Sequence, residues 1–502
     1  MGDFLSTHSG TAVCAVVGAA TMEELRAARD HVSPRADLVE LRLDAAARPD
    51  PAAALQGRTR PVVVTCRPAW EGGGFTGSEA ERLDILRRAW ALGADAVDIE
   101  ARAEGAPAFL RETGGVRVVL SVHDYAGVPA DLTDRLRSMA STPAAVIKVA
   151  VQAHRLTDCD AIFGMARAIP GRRFIGIAMG ASGVTTRILA GPIGSAWTYA
   201  GEGWAPGQIP LDALLDEFRF RELTARTAIY GVVGRPIGHS LSPAMHNAAF
   251  VAERADAVYV PLEADSAEDV LRFAEARQVA GLSVTAPFKV SLVPHATLDA
   301  TATRIGALNT LRPMNGRWEA TNTDPEGFMA PLATSTTVAG QRVAVLGTGG
   351  AARSVAIALA AAGARVAVHG RDRGRAEAVA QLAGGSAHAF QPSPGTWDLL
   401  VNTTPVGTTP GTDESPLPDG PFDGALVYDL VYNPPITRLL RDAERAGCRV
   451  IGGLDMLVAQ AQAQRHWWIG SRGDATVMKA AALRRLQTAE RPRAAGAASL
   501  SN

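Results

Sequence analysis

A chain of 502 residues, 47% of them hydrophobic, has room for roughly two to four domains with sizeable cores. Its 50 Lys+Arg balance 51 Asp+Glu, so no basic surface points to nucleic acid as a partner. No apolar span is long enough to cross a bilayer, and no basic-then-apolar leader opens the sequence. The expectation is therefore a cytoplasmic protein that does not engage a membrane. Met1-Gly2-Asp3-Phe4-Leu5-Ser6 fits a loose acylation pattern, but nothing basic supports it. Cys14, Cys66, Cys159 and Cys448 are scattered, with no CxxC pair, and read as buried thiols of a reducing compartment rather than a disulfide or zinc framework.

From Thr11 onward, short apolar runs alternate with Ala/Arg/Leu-rich helical stretches. Candidate strands are 12–17, 38–43, 61–66, 96–99, 116–122, 145–151, 174–178 and 195–199. Eight such units in a little over two hundred residues predict a (β/α)8 barrel, whose chemistry sits at the C-terminal ends of its strands. Those ends carry Glu40, Arg42 and Asp44, then Arg67 with Glu71, then His123, Lys148, Arg187 and finally Gln208.

Lys148 draws the eye because it sits inside Ala145-Val146-Ile147-Lys148-Val149-Ala150-Val151. Burial disfavours an ammonium, and a neutral amine near pH 7 is a nucleophile for carbonyls. Alternatively the lysine pairs with a carboxylate, Arg42 with Asp44 forms a structural ion pair, and His123 is a core histidine. Taken together, an amine, a histidine that shuttles protons near neutral pH, and arginines that clamp a carboxylate make a site for a carbonyl-bearing acid.

Val39-Glu40-Leu41-Arg42-Leu43-Asp44, Thr65-Cys66-Arg67, Ser121-Val122-His123-Asp124, Ile147-Lys148-Val149-Ala150 and Ala205-Pro206-Gly207-Gln208 resemble the motif series of type I 3-dehydroquinate dehydratases. The resemblance implies a Schiff base at Lys148 and His123 as general base and acid. It further implies Glu71 orienting that histidine, with Glu40, Arg42, Arg67, Arg187 and Gln208 on the substrate. Trp204 departs from the series, standing where some relatives carry a small or hydroxyl residue.

Residues 211–227 form a charged, helical-looking stretch that would serve as the barrel's last helix. A new strand begins at Ala228 with no Gly/Ser- or Pro-rich linker, so the two halves are expected to dock closely.

In the second half, Val343-Ala344-Val345-Leu346-Gly347-Thr348-Gly349-Gly350-Ala351-Ala352-Arg353 reads as strand, glycine turn and helix start, a cradle for pyrophosphate. After the next strand, 364–369, Arg371 and Arg375 favour the 2′-phosphate of NADP, whereas Asp372 argues partly for NAD. Ser240 and Ser242 flank a Pro-begun helix start, and Thr285, Lys289, Asn309 and Asp324 follow in short polar motifs. Such groups suit a polyhydroxylated substrate whose carbonyl oxygen takes a proton during reduction. A structural Lys289–Asp324 ion pair is the other reading.

These motifs, with Asn402-Thr403-Thr404-Pro405-Val406-Gly407, Tyr428-Asp429-Leu430-Val431-Tyr432 and Gly453-Leu454-Asp455-Met456-Leu457-Val458-Ala459-Gln460, resemble shikimate dehydrogenase. The resemblance implies Lys289 and Asp324 as the catalytic pair, with Ser240, Ser242, Thr285, Asn309, Tyr432 and Gln460 on the substrate. It implies Gly347, Gly349, Gly350, Ala351, Arg353, Arg371, Arg375, Thr403, Leu430 and Gly453 around NADP, and no metal. Gly370 and Asp372 depart from the usual Asn and Thr there, and Arg465 and His466 stand where relatives are more apolar.

The expected α/β organisation is a barrel over 10–224, a substrate-binding domain over 228–330, a Rossmann-type NADP domain over 331–455 and returning helices over 456–488. The implied function is dehydration of 3-dehydroquinate followed by NADPH-dependent reduction of 3-dehydroshikimate to shikimate. The rivals are an NAD-using quinate/shikimate dehydrogenase working catabolically, and a regulatory protein built on inactive copies.

Overall fold

The computed structural model describes residues 11–490. The acylation pattern at residues 1–6 and the tail after Arg491, expected to be disordered, lie outside them. Eight parallel strands form the first sheet: β1 (Ala12–Val17), β2 (Leu38–Arg42), β3 (Val62–Thr65), β4 (Ala96–Glu100), β5 (Val118–Asp124), β6 (Val146–Gln152), β7 (Phe174–Met179) and β8 (Trp197–Ala200). Their order, β7-β6-β5-β4-β3-β2-β1-β8, is that of a nearly closed barrel. Between β7 and β8 the seam carries a backbone bond from Ala196 N to Phe174 O of 2.7 Å.

The outer helices are fixed by local chemistry. Thr21 and Glu24 form a capping box before Met22–Val32, and Ser78 and Glu81 do the same before Glu79–Ala91. Inside the barrel, alternate residues split into two zones. Ala12, Cys14, Leu38, Val63, Ala96, Val119, Val146, Ile175 and Trp197 fill the interior with apolar packing. One pleat further along, Glu40, Thr65, Asp98, Ser121 and Lys148 are equally buried but polar. Side-chain alternation along the strands therefore sets a charged layer directly on an apolar floor.

The predicted last barrel helix is corrected. Residues 211–227 are helical only at their start, two α-helical residues running into a π-type stretch (Ala213–Glu217), followed by a 3₁₀ turn (Phe220–Glu222). Arg219 between them takes φ +49°, and its guanidinium donates to the carbonyl of Ala257 at 2.8 Å. Tertiary anchoring to the second half thus overrides the helical pattern of the sequence.

The second sheet contains β9 (Ala228–Gly234), β10 (Ala257–Glu263), β11 (Gly281–Val284), β12 (Thr297–Leu298), β13 (Thr310–Met314) and β14 (Arg317–Thr321). Its order is β10-β9-β11-β13-β14-β12. The third contains β15 (Arg342–Leu346), β16 (Arg365–His369), β17 (Ser386–His388), β18 (Leu399–Asn402), β19 (Leu426–Asp429) and β20 (Arg449–Ile451). All its pairings are parallel and its order is β17-β16-β15-β18-β19-β20, a doubly wound arrangement with the switch point at β15.

Barrel and second sheet share one apolar core, running from Val13 through Phe273 to Ala320. The buried Asp269 carboxylate accepts bonds from Leu156 N (2.9 Å) and Thr157 N (3.0 Å) of the barrel. Phe163 meets Phe273 edge to face at 6.3 Å. The helices Gly453–Ile469 and Ala475–Glu490 pack through Leu454, Val458 and Met478 on Leu241, Met245 and Ala249 of the Ser242–Glu253 region. Arg465, which the sequence left without a role, is buried there and pairs with Glu253, while exposed His466 bonds the carbonyl of Gly470 at 3.2 Å. All four cysteines are buried thiols, and no helix among the described residues is long and apolar enough to cross a membrane.

Candidate active sites

At the C-terminal mouth of the barrel, a cavity of about 470 Å³ is lined by Glu40, Arg42, Arg67, His123, Lys148, Arg187 and Gln208, all seven expected there. Glu71 stands behind His123 instead of facing the cavity. Its Oε1 accepts from His123 N at 2.8 Å and lies 3.1 Å from His123 Nδ1.

Lys148 Nζ donates to Asp98 Oδ2 at 3.0 Å, sits 3.7 Å from Glu40 Oε1 and lies 4.3 Å from the centre of the Tyr199 ring. Asp98 also accepts from Ser121 Oγ at 2.6 Å and faces Arg67 Nη1 at 2.9 Å. Burial pushes the Asp98 carboxyl up, but Arg67 and Lys148 outweigh it and hold the group well below the usual carboxylate range. Arg67 is tied further to Glu100 Oε1 at 2.6 Å, and Glu100 Oε2 meets Arg82 at 2.6 Å. Sequence reading missed Asp98 and Glu100. Their signal was an Ala-Val-Asp-Ile-Glu strand with acids at alternate positions, where an apolar run was expected.

His123 is pushed well below its ordinary range by burial and by the charges of Arg67 and Lys148, so it is neutral and can accept a proton. Burial pushes Glu71 up to about 7, with Arg67 opposing. Arg42 forks onto Asp44 at 2.9 and 2.7 Å, so the structural ion pair considered for it is present, although Arg42 still lines the cavity. Arg187 differs. It is fully buried, it donates only to the Pro206 carbonyl (3.2 Å), and no carboxylate among the described residues pairs with it. Burial lowers it to about 10 and its Nε has no partner. A buried guanidinium without an anion, beside a cavity, can receive a ligand carboxylate.

The second site is a cleft of about 1200 Å³ between the second and third sheets. Ser240, Ser242, Thr285, Lys289, Asn309, Asp324, Tyr432 and Gln460 all line it, together with Gln464 and Ser283, which sequence reading did not single out. Lys289 Nζ donates to Asp324 Oδ2 at 2.6 Å, and Asn309 Nδ2 holds the other oxygen at 2.7 Å. Gln464 braces Asn309 from behind, accepting from Ser283 Oγ at 2.7 Å and donating to Asn309 O at 3.2 Å.

Ala351, Leu430 and Gly453 border the same cleft on the third-sheet side. Gly349 caps the helix Gly350–Ala361, and a Cβ on Gly349 or Gly350 would meet nothing within 4 Å. The helix N-terminus is therefore open for a pyrophosphate. Gly347 takes φ +116°, and a Cβ there would fall 2.5 Å from Thr403 Oγ1. Arg353, exposed in the first turn of that helix, donates one N–H to the Ile305 carbonyl at 3.1 Å. Asp372 is the N-cap of Arg373–Leu382, one of its carboxylate oxygens accepting from Arg375 N at 3.0 Å. Arg371 and Arg375 are exposed beside it, so the residues present fit a 2′-phosphate.

Fold and sites together define an enzyme with two centres, a lysine-centred barrel lyase and a dinucleotide-dependent dehydrogenase. A chloroplastic bifunctional 3-dehydroquinate dehydratase/shikimate dehydrogenase of Arabidopsis thaliana is 33% identical over 476 residues, 87% of this chain and 78% of that protein. The chain belongs to that bifunctional dehydratase/dehydrogenase family. Residues 13–224 match type I 3-dehydroquinase and residues 232–311 the shikimate dehydrogenase substrate binding domain. A shikimate dehydrogenase (NADP(+)) of Moorella thermoacetica is 38% identical over 277 residues, 51% of this chain and 93% of its own length. A solved shikimate dehydrogenase in complex with NADP+ superposes with a TM-score of 0.50 at 30% identity, covering 53% of this chain and 97% of that one.

Proposed function

We propose that Lys148 and Lys289 carry consecutive reactions: 3-dehydroquinate loses water in the barrel, and the resulting 3-dehydroshikimate is reduced to shikimate in the cleft. The observation that carries the reading is the pairing of an enclosed amine with an anion-free buried arginine, Lys148 with Arg187, in one small cavity.

In the barrel, the substrate carboxylate settles on Arg187. The Lys148 amine adds to the C3 ketone and expels water, leaving an iminium. Neutral His123 removes the adjacent proton, the iminium accepts the electron pair, and the β-hydroxyl departs as water after taking a proton back from His123. Glu71 holds the histidine through Nδ1, and Asp98 with Glu40 fixes the lysine. Water then hydrolyses the iminium and frees the amine.

In the cleft, Gly347, Gly349, Gly350 and Ala351 would hold the pyrophosphate of NADP(H), and Arg371 with Arg375 its 2′-phosphate. The bound cofactor supplies the two electrons of the reduction. Lys289 delivers the proton to the carbonyl oxygen while Asp324 keeps its ammonium aimed. Ser240, Ser242, Thr285, Asn309, Tyr432 and Gln460 hold the ring hydroxyls and carboxylate. The cap role of Asp372 and the exposed Arg371 and Arg375 beside it support NADP over the catabolic, NAD-using alternative. The proposed division of labour gives dehydration to the barrel within 10–224, substrate holding to 228–330, cofactor binding to 331–455 and returning helices to 456–488. Four buried thiols suit the reducing cytoplasm.

The test is to give the purified chain 3-dehydroquinate and NADPH. Shikimate should accumulate as NADPH absorbance falls. Accumulation of 3-dehydroshikimate alone would sink the second half of the proposal, and unchanged 3-dehydroquinate the first.

A further inference from the structure

Trp204 follows β8 on the segment that crosses the barrel mouth, and it lines the cavity. Its indole lies over the Arg42 guanidinium at 5.4 Å. Arg42 is thus held at its edge by the Asp44 fork and at its face by an aromatic ring. Asp44 is fixed in turn, its Oδ2 accepting from Gly74 N at 3.0 Å.

On the far side, the indole rests against Gly18 at the end of β1. A Cβ there would fall 2.2 Å from Trp204 Cη2 and 2.6 Å from Cζ2. A rigid ring packed between the Gly18 backbone and the Arg42 guanidinium cannot absorb that overlap as a flexible chain end would, so glycine at 18 leaves the indole its berth. The backbone of the same residue matters too. Trp204 N donates to Gln208 Oε1 at 2.9 Å, occupying the amide oxygen of that expected substrate contact.

Resting on the Lys148 Schiff-base reading, we propose that Trp204 is a positioning residue of the dehydratase, roofing Arg42 at the barrel mouth, and that Gly18 is the berth that holds it there. The roof's chemical work is exclusion of water. Water that reaches the iminium before the β-hydroxyl has left adds to its carbon, regenerates the ketone and releases the Lys148 amine, so the cycle returns to substrate. With the roof closed, hydrolysis waits until dehydration is complete. The same ring fixes Arg42 against the substrate, a contact whose displacement by even 1 Å is costly.

The experiment compares Trp204→Ala, Gly18→Ala and the double variant for dehydratase kcat and KM, and for the fraction of enzyme trapped by borohydride at steady state. Shikimate oxidation on the same chain reports folding. Each single change should lower kcat about tenfold to a hundredfold with a smaller rise in KM, and trapping should fall with it. Because Gly18→Ala acts through the indole, the double variant should be no worse than Trp204→Ala alone. Shikimate oxidation should be unchanged in all three. Wild-type kcat in Trp204→Ala, or losses that multiply in the double variant, would overturn the proposal. If borohydride and 3-dehydroquinate fail to trap even the wild-type protein, the Schiff-base reading falls, and the roof with it.

Discussion

Two lysines in one chain sit in opposite surroundings. The Lys148 side chain is 5% exposed, sits in the barrel's interior and faces two carboxylates in a cavity of about 470 Å³. The Lys289 side chain is 30% exposed, sits on the four-residue helix Phe288–Ser291 and faces one carboxylate in an open cleft of about 1200 Å³. The difference suits the roles proposed for the two amines. A nucleophile that forms a covalent bond to substrate needs a fixed, dry position, and a barrel strand supplies one. A proton donor needs only to reach an oxygen once a bulky cofactor has entered, and a cleft between two sheets admits that cofactor.

That contrast breaks cleanly if the centres are independent. Lys148→Ala should abolish borohydride trapping and dehydratase turnover while shikimate oxidation persists, measured on one preparation. Loss of both would show the halves coupled. Conversely, Lys289→Ala should cut shikimate oxidation by about 10² to 10⁴, the usual span for a general acid, with dehydratase kcat unchanged.

Sharpening the comparison means isolating the barrel's proton relay. Burial places the Glu71 carboxyl at about 7, above its ordinary range, so it is a carboxylate only above that pH. His123 is pushed far below its ordinary range and stays neutral across the same window. Dehydratase rate should therefore fall as pH drops through about 7, and Glu71→Gln should erase that limb along with about tenfold or more of the rate. A limb that persists in Glu71→Gln would transfer the titration to another group. On the other side, Arg371→Ala should raise KM for NADP about tenfold and leave kcat nearly intact, as expected when a charged contact to the 2′-phosphate is lost. The smallest effect concerns the join. Asp269→Ala leaves Leu156 N and Thr157 N unpaired in a buried interface and should cost about 1–3 kcal/mol in denaturant unfolding, with both activities intact at low temperature.

The candidate strands of the barrel were legible because apolar runs of strand length recur with helical spacers, and both ends of the Rossmann unit were marked by glycine and arginine. The early end of the last barrel helix was not legible, because Arg219 is held by the Ala257 carbonyl of β10, which the local pattern does not contain. Asp372, which by sequence argued partly for NAD, also caps a helix through the Arg375 amide, a contact that only the folded turn shows.

The amino-acid order by itself determined the two kinds of sheet, the identity of both amines and most of the groups around them, since periodicity and short motifs are local properties. What only the folded chain decided was partnership. Closing the barrel brought Asp98 from one strand onto Lys148 fifty residues later, set Arg67 against Asp98 and Glu100, and left Arg187 without an anion among the described residues. Ion pairing and desolvation act through space over a few ångströms, and which charge is left unanswered is settled only when distant strands meet.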